Sequence, residues 1–286
     1  MQTILITGAN GQLGQSIKKI AQNYPDYKFF FTDVDELDIT DKEAINTFVH
    51  NNRITCIVNT AGYTAVDKAE TDADRANLIN GTAVAYLAIA AKNNDALLVH
   101  ISTDYVFDGE HFRPISEEVI PKPLSVYATS KVKGEQAAMN NDARSVVVRT
   151  SWLYSEFGHN FVKTMLKYGR ERESLKVVYD QVGTPTYAGD LAKTILDLIP
   201  KWQQLAKPEI FHYSNEGVAS WYDFAVSIHR LAGIQCRIFP VETKDYPLPA
   251  KRPFFSVMSK DKIKTRFGIS IPHWFESLTK CMDKIN

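Results

Sequence analysis

Tyr127 and Lys131 stand four residues apart in the stretch Ser125-Val126-Tyr127-Ala128-Thr129-Ser130-Lys131. If a helix begins there, four residues make one turn and the phenol and the ammonium lean to the same side. At an effective dielectric of about 20, unit charges about 4 Å apart interact by roughly 4 kcal/mol, enough to draw a phenol from its usual pKa of about 10 towards neutrality. Such a pair is expected to give and take a proton near neutral pH. Taken alone, it also reads as a core tyrosine beside a solvated helix lysine, so the rest of the chain has to discriminate. Thr103, in Ser102-Thr103-Asp104-Tyr105-Val106-Phe107-Asp108-Gly109, offers a hydroxyl for the same chemistry.

These groups need a scaffold and a cofactor. Residues 3–7 read as a short buried strand, followed at once by Gly8-Ala9-Asn10-Gly11-Gln12-Leu13-Gly14 and a helix over 15–23. Gly8 lets the chain turn tightly, Gly11 lets a pyrophosphate approach the backbone, and Gly14 lets helix and strand pack closely, with the phosphate charge at the helix N-terminus. The glycine spacing also occurs in plain turns, and the flanking strand and helix favour a dinucleotide. The next strand, 28–32, ends in Asp33, placed to take the adenosine ribose hydroxyls and so leaning towards NAD. Asp33 is equally a loop acid in the run Asp33-Val34-Asp35-Glu36. Asp38 and Ile39 are candidates to hold the adenine, ahead of a helix over 42–51 capped by Thr40 or Asp41.

A strand over 55–59 runs into Thr60-Ala61-Gly62-Tyr63-Thr64, where small residues let a flat cofactor lie against the backbone. Residues 72–93 read as one alanine-rich helix. The strand over 96–101 then delivers Thr103 and Asp104 to its carboxyl end, where open parallel sheets bind ligands. The proline-bearing stretch 108–124 is long enough for a lid or substrate loop. Tyr127 opens the next helix and 145–150 form the next strand. After residue 151 the rhythm loosens: helix 161–168, strand 175–179, helix 189–198, strand 210–214, helix 220–231 and a last helix 272–282. The expected class is α/β, a Rossmann-type doubly wound parallel sheet over 1–150. Residues 151–286 would form mainly a smaller, discontinuous substrate-binding region, with elements near 175–200 returning to the first domain. The segment from Pro247 to Pro253 reads as an exposed basic turn.

Lysine plus arginine equal aspartate plus glutamate at 33 each, so charge gives no reason to expect a nucleic-acid or membrane partner. An anionic ligand must meet local charge instead. Arg252 beside Pro253 is the candidate for a diphosphate, because a guanidinium fork bonds two phosphate oxygens, and Asn160 could add an amide. The 3 cysteines are far apart, fitting free thiols in a reducing compartment, the cytoplasm by default. They and the 7 histidines show no metal-ligand spacing. No run approaches about 18 apolar residues and no leader pattern precedes Ile4, so neither a membrane span nor a signal peptide is expected.

The glycine loop, Thr103, and Tyr127 with Lys131 are far more specific together than singly. The set resembles the extended short-chain dehydrogenase/reductase family, whose Ser/Thr, Tyr and Lys act with a nicotinamide cofactor on nucleotide-linked sugars. Within that family the chain is similar to the dTDP-4-dehydrorhamnose reductases from end to end. The motifs are Gly11-Gln12-Leu13-Gly14, Thr64-Ala65-Val66-Asp67-Lys68-Ala69-Glu70, Ser102 to Gly109, Arg149-Thr150-Ser151-Trp152-Leu153-Tyr154, Asn160-Phe161-Val162, Asp180-Gln181-Val182-Gly183-Thr184-Pro185-Thr186 and Arg252-Pro253.

The resemblance implies reduction of the C4 ketone of dTDP-4-dehydro-L-rhamnose by NADPH or NADH, a step towards cell-surface polysaccharide. It puts Asn10, Gly11, Gln12, Asp33, Asp38, Ile39, Gly62, Tyr63 and Thr64 on cofactor positions, with Gly8, Leu13 and Ala61 beside them. It puts Thr103, Asp104 and Trp152 on sugar-nucleotide positions, and Tyr127 and Lys131 on the catalytic pair. Lys131 would lower the Tyr127 pKa and hold the nicotinamide ribose, while Thr103 orients the carbonyl. Ala128 departs from the glycine usual after the tyrosine, and tolerance of its methyl is the expectation. A homodimer is allowed, and no residues are assigned to a metal. An epimerase or dehydratase of the same family, reducing and reoxidising a tightly held NAD within one turnover, is a rival; a dehydratase wants an Asp-Glu pair beside Thr103, where this chain has Asp104-Tyr105. A non-catalytic nucleotide-binding subunit is the other rival, against which intact Tyr127, Lys131 and Thr103 argue.

Overall fold

The computed structural model describes residues 2–140 and 144–285. Five strands lie within the first 150 residues: β1 (Gln2–Thr7), β2 (Tyr27–Thr32), β3 (Cys56–Asn59), β4 (Leu97–Thr103) and β5 (Ser145–Thr150). A further strand, Glu209–His212, joins beside β5 and completes a six-stranded sheet in the order β2-β1-β3-β4-β5-(Glu209–His212). Every pairing in it is parallel.

The strands are continuous apolar runs because both faces of the sheet are covered. Successive side chains point to opposite faces. Ile4, Ile6, Val58, Val99 and Val148 pack with the helices Gln12–Ile20 and Ala188–Trp202. Leu5, Ile57, Leu98 and Val147 pack on the other side, with Lys42–Asn51 and Ala83–Asn93. Each such side chain contributes about 1.5–3 kcal/mol by leaving water. The chain leaves β1 for β2 and then crosses back to start β3 on the far side of β1. At that reversal the connecting loops part and leave a crevice at the carboxyl ends of the strands.

A separate apolar cluster is built by the later part of the chain, around Tyr154, Val162, Leu166, Phe224, Ile228, Trp274 and Leu278. The strand expected at 175–179 is Ser174–Val178 and pairs with Arg237–Val241 in its own two-stranded sheet, so it does not return to the main sheet. The later elements that do return are the helix Ala188–Trp202 and the strand Glu209–His212. Among the described residues no helix is long and apolar enough to cross a membrane.

The single helix expected over 72–93 is interrupted. Ala73–Asn77 and Ala83–Asn93 are α-helical, and Leu78–Thr82 between them winds as a π-helix. Its cause is tertiary. Buried Asn80 accepts the Tyr63 N–H at 2.9 Å and donates to the Tyr63 carbonyl at 3.0 Å and to the Ser130 hydroxyl at 2.9 Å. Those bonds hold the chain after β3 against the helix that carries Tyr127.

Candidate active site

A cleft of about 740 Å³ opens over the carboxyl ends of the strands, within the range of small-molecule and cofactor sites. Gly8, Asn10, Gly11, Gln12 and Leu13 line it after β1, Asp33, Asp38 and Ile39 after β2, and Ala61, Gly62 and Thr64 after β3. Thr103, Tyr127, Lys131 and Trp152 line its other end. The backbone of Gly8 has φ +65, and a Cβ there would fall 2.6 Å from the Ala61 backbone. A Cβ on Gly14 would fall 2.6 Å from the Gly8 carbonyl oxygen, so that glycine sets how closely loop and helix pack.

The helix Gln12–Ile20 begins at Gly11 with no side-chain cap, leaving amide donors for an anion at its N-terminus. Asp33 lies at the adjacent rim. Its Oδ2 accepts the Asn10 N–H at 2.9 Å, which fixes the glycine loop against the end of β2. Asp38 accepts from the Thr40 N–H and hydroxyl at 2.8 and 2.7 Å, and these bonds hold its carboxyl below the usual range. Asp41 caps the helix Lys42–Asn51. An open anion site at a helix start, an acid at the end of β2 and small residues at the end of β3 fit a nicotinamide dinucleotide.

Tyr127 and Lys131 lie in the first turns of the helix Val126–Asn140. Its start is held by the Ser125 hydroxyl, which accepts the Ala128 N–H at 3.2 Å, and by Glu70, which accepts the Val126 N–H at 2.9 Å. One turn beyond Lys131, buried Glu135 pairs with Arg149 of β5 through two bonds of 2.8 and 2.7 Å and accepts from Ser102 of β4 at 2.6 Å. This buried pair clamps the helix across two strands.

The shift at Tyr127 runs opposite to the expected one, and Lys131 is not among its causes. Burial pushes the phenol up to about 12, with Asp104 adding to the rise and a hydrogen bond with Thr103 opposing it. Burial likewise pulls Lys131 down to about 8, against the pull of Glu135. The ammonium donates to the Ile101 carbonyl at 2.6 Å, and desolvation dominates the shift at both groups. The tyrosine therefore keeps its proton at neutral pH.

Four candidates do not line the cleft. Tyr63 turns its hydroxyl to Asp72 at 3.0 Å while Asn80 takes its backbone. Asn160 caps the helix Phe161–Glu171 and donates to Gln12 at 2.9 Å and to the Ser155 carbonyl at 2.8 Å, so its amide is fully engaged. The turn from Pro247 to Pro253 is exposed at Pro247, Leu248, Pro249 and Lys251, but the Arg252 side chain is only 15% exposed and forks onto Asp67 with bonds of 3.0 and 2.8 Å. Asp67 satisfies the guanidinium geometry that a diphosphate would otherwise take. Asp104 is buried behind Thr103, with one oxygen 3.2 Å from that hydroxyl. Burial raises its pKa to about 7. Ala128 is buried away from the cleft, so its methyl meets no cofactor surface.

The family model for the RmlD substrate binding domain matches residues 1–286. The chain belongs to this family. A dTDP-4-dehydrorhamnose reductase of Aggregatibacter actinomycetemcomitans is 40% identical, with 97% of each chain covered. A solved dTDP-4-dehydrorhamnose reductase of Clostridium acetobutylicum is 43% identical with a TM-score of 0.95, covering 99% of each chain. Another from Bacillus anthracis, solved in complex with NADP, is 37% identical with a TM-score of 0.94, covering 99% of this chain and 100% of that one.

Sequence reasoning missed several residues that line this cleft. Arg75, Ile79, Leu153, Gly158 and His159 also line the cleft. Arg75 and Ile79 lie in or just before the π-wound segment, and Gly158 and His159 in a loop between short elements, where no periodic signal marks them. Among the described residues no group of three or more His, Cys, Asp or Glu is placed to hold a metal ion.

Proposed function

We propose that this chain reduces the C4 ketone of dTDP-4-dehydro-L-rhamnose to the alcohol of dTDP-L-rhamnose with NADPH or NADH. The observation that carries the reading is the convergence of Thr103, Tyr127 and Lys131 on one cleft with the glycine loop. The reductases that the chain resembles over nearly its whole length supply the substrate class.

A reduced nicotinamide bound in the cleft supplies the hydride. Tyr127, protonated because it is buried, gives its proton to the oxygen at C4 as the carbonyl becomes an alcohol. The Thr103 hydroxyl orients that oxygen and supports its developing negative charge. Lys131 holds the ribose next to the nicotinamide, and its ammonium, charged below about pH 8, favours the phenolate that Tyr127 leaves behind. Gly8 to Leu13 with Asp33 hold the dinucleotide, and Trp152 flanks the sugar. The segment from residue 151 onward serves mainly the sugar nucleotide, while residues 1–150 serve the cofactor. The cytoplasm is the proposed place of action, and Cys56 and Cys281 as buried free thiols fit a reducing compartment.

The test is oxidation of external NADPH on adding dTDP-4-dehydro-L-rhamnose, with dTDP-L-rhamnose as the product. Interconversion of a sugar nucleotide without net consumption of NADPH would identify an epimerase or dehydratase. Cofactor binding without turnover would identify a regulatory subunit.

A further inference from the structure

Trp152 is a non-glycine residue with a left-handed backbone, φ +46. A bulky side chain rarely adopts that conformation unless its surroundings impose it. Its neighbours are pinned to the segment that follows Gly183. The Ser151 hydroxyl donates to the Thr184 carbonyl at 2.6 Å, and the Trp152 carbonyl accepts the Thr186 N–H at 3.2 Å.

The ring is held as firmly as the backbone. Trp221, the first residue of the helix Trp221–Leu231, stacks on Trp152 with centroids 3.7 Å apart and planes within 9°. Free aromatic pairs prefer an offset or edge-on arrangement with centroids about 4.5–7 Å apart, so a near face-to-face stack reflects constraint. Gly183 closes another side. A Cβ there would lie 2.8 Å from Cε2 and 2.9 Å from Cζ2 of Trp152, and 2.8 Å from the Ser256 hydroxyl. Trp221 is backed by Phe161, with centroids 4.7 Å apart, and does not line the cleft itself.

We propose that Trp221 and Gly183 are positioning residues that hold the Trp152 ring as the wall of the sugar subsite. The proposal rests on the reading of Trp152 as a sugar-nucleotide contact. Trp221 fixes one face of the ring and Gly183 admits its edge, so the ring can present a single orientation to the sugar despite a disfavoured backbone. Neither residue touches substrate, and both act through Trp152.

Steady-state kinetics of the full-length enzyme with NADPH and the 4-keto sugar nucleotide test this. Trp221→Ala is expected to raise KM for the sugar nucleotide roughly three- to tenfold, the worth of one aromatic pair, with a smaller change in kcat and none in KM for NADPH. Trp221→Phe should recover most of the loss, because a ring still covers the face. Gly183→Ala should raise the same KM by pushing the ring while Trp221 stays in place, and it keeps the proposal testable if Trp221→Ala fails to fold. In a Trp152→Ala background, Trp221→Ala should add nothing. The circular-dichroism couplet of two stacked indoles should vanish in Trp152→Ala and in Trp221→Ala alike. A raised KM in Trp152→Ala but not in Trp221→Ala or Gly183→Ala would overturn the positioning role and leave the Trp152 reading intact. A normal KM in Trp152→Ala would remove that reading and the proposal with it. Additive losses in the double variant would show that Trp221 acts independently of Trp152, which also overturns it.

Discussion

The cofactor side and the sugar side of the cleft are built on different principles. On the cofactor side, backbone and short side chains at the ends of β1, β2 and β3 face the open cleft, and the start of the helix Gln12–Ile20 is left uncapped. On the sugar side the polar candidates already have protein partners: Asn160 bonds Gln12, Arg252 bonds Asp67, and Asp104 bonds Thr103. Besides Thr103 and Tyr127, Trp152 lines this end of the cleft, its ring held in place by its neighbours. A site for an invariant cofactor can be made by main chain at the edge of a sheet. A site that selects one sugar is made by side chains whose partners come from far along the chain.

The sharpest way to break this division is at its seam. Tyr127→Phe removes the proton donor and little volume, so turnover should fall by a factor of about 100 to 10,000. Cofactor affinity, measured by titration, should stay near the wild-type value because the cofactor side is untouched. A wild-type rate at neutral pH would show that another group delivers the proton.

Glu135→Gln should affect both sides at once. It leaves the Arg149 guanidinium buried without its carboxylate partner, an imbalance that typically costs about 3–5 kcal/mol. Urea unfolding measures that loss, and kinetics should show poorer binding of both ligands as the helix bearing Tyr127 and Lys131 loosens. A loss below about 1 kcal/mol, the scale of a surface ion pair, would mean that the clamp does not position this helix.

The cofactor side should also carry the alkaline limb of activity. Burial holds Lys131 down to about 8, so its charged form is present below that pH and is lost as the pH rises through it. The free-enzyme kcat/KM for NADPH should therefore fall about tenfold per pH unit above this point. Tyr127, pushed up to about 12, adds no break in that range. A profile flat to about pH 10, near the ordinary lysine value, would take the Lys131 charge out of the reaction.

The smallest effect is expected at Asp33. Asp33→Ala removes a negative charge from the ribose end of the cleft, and the ratio of specificity constants should move towards NADPH. The shift should be no more than about fivefold, the upper range for one solvent-accessible charge. An unchanged ratio would leave Asp33 with its structural bonds to the Asn10 and Val34 N–H groups.

How much was legible follows the same division. The helix Lys42–Asn51 and the strand Ser145–Thr150 have the bounds their sequence patterns predict, and the glycine loop sits between strand and helix as its spacing requires. Those signals are local. The partners of Asn160 and Arg252 are 148 and 185 residues away, and no spacing in the sequence announces them. Tyr127 and Lys131 were visible as neighbours, but the direction of their pKa shifts depends on burial, which spacing does not report. Asn80 was hidden inside an alanine-rich helical pattern because its role depends on contacts with Tyr63 and Ser130.

The π-wound turn Leu78–Thr82 makes the residue count of this stretch matter. A π turn accommodates one residue more than ordinary α winding, and each residue of an α-helix advances about 100° around its axis. Forcing this turn into ordinary α winding with its residue count unchanged would swing everything upstream by that angle, while Ala83–Asn93 stayed seated against the sheet. Arg75 would leave the cleft wall, and Asp72 would lose the Tyr63 hydroxyl. Surface loops absorb changes in length, but this turn acts as a register stop, so the upstream wall of the cleft is aimed by arithmetic as much as by chemistry.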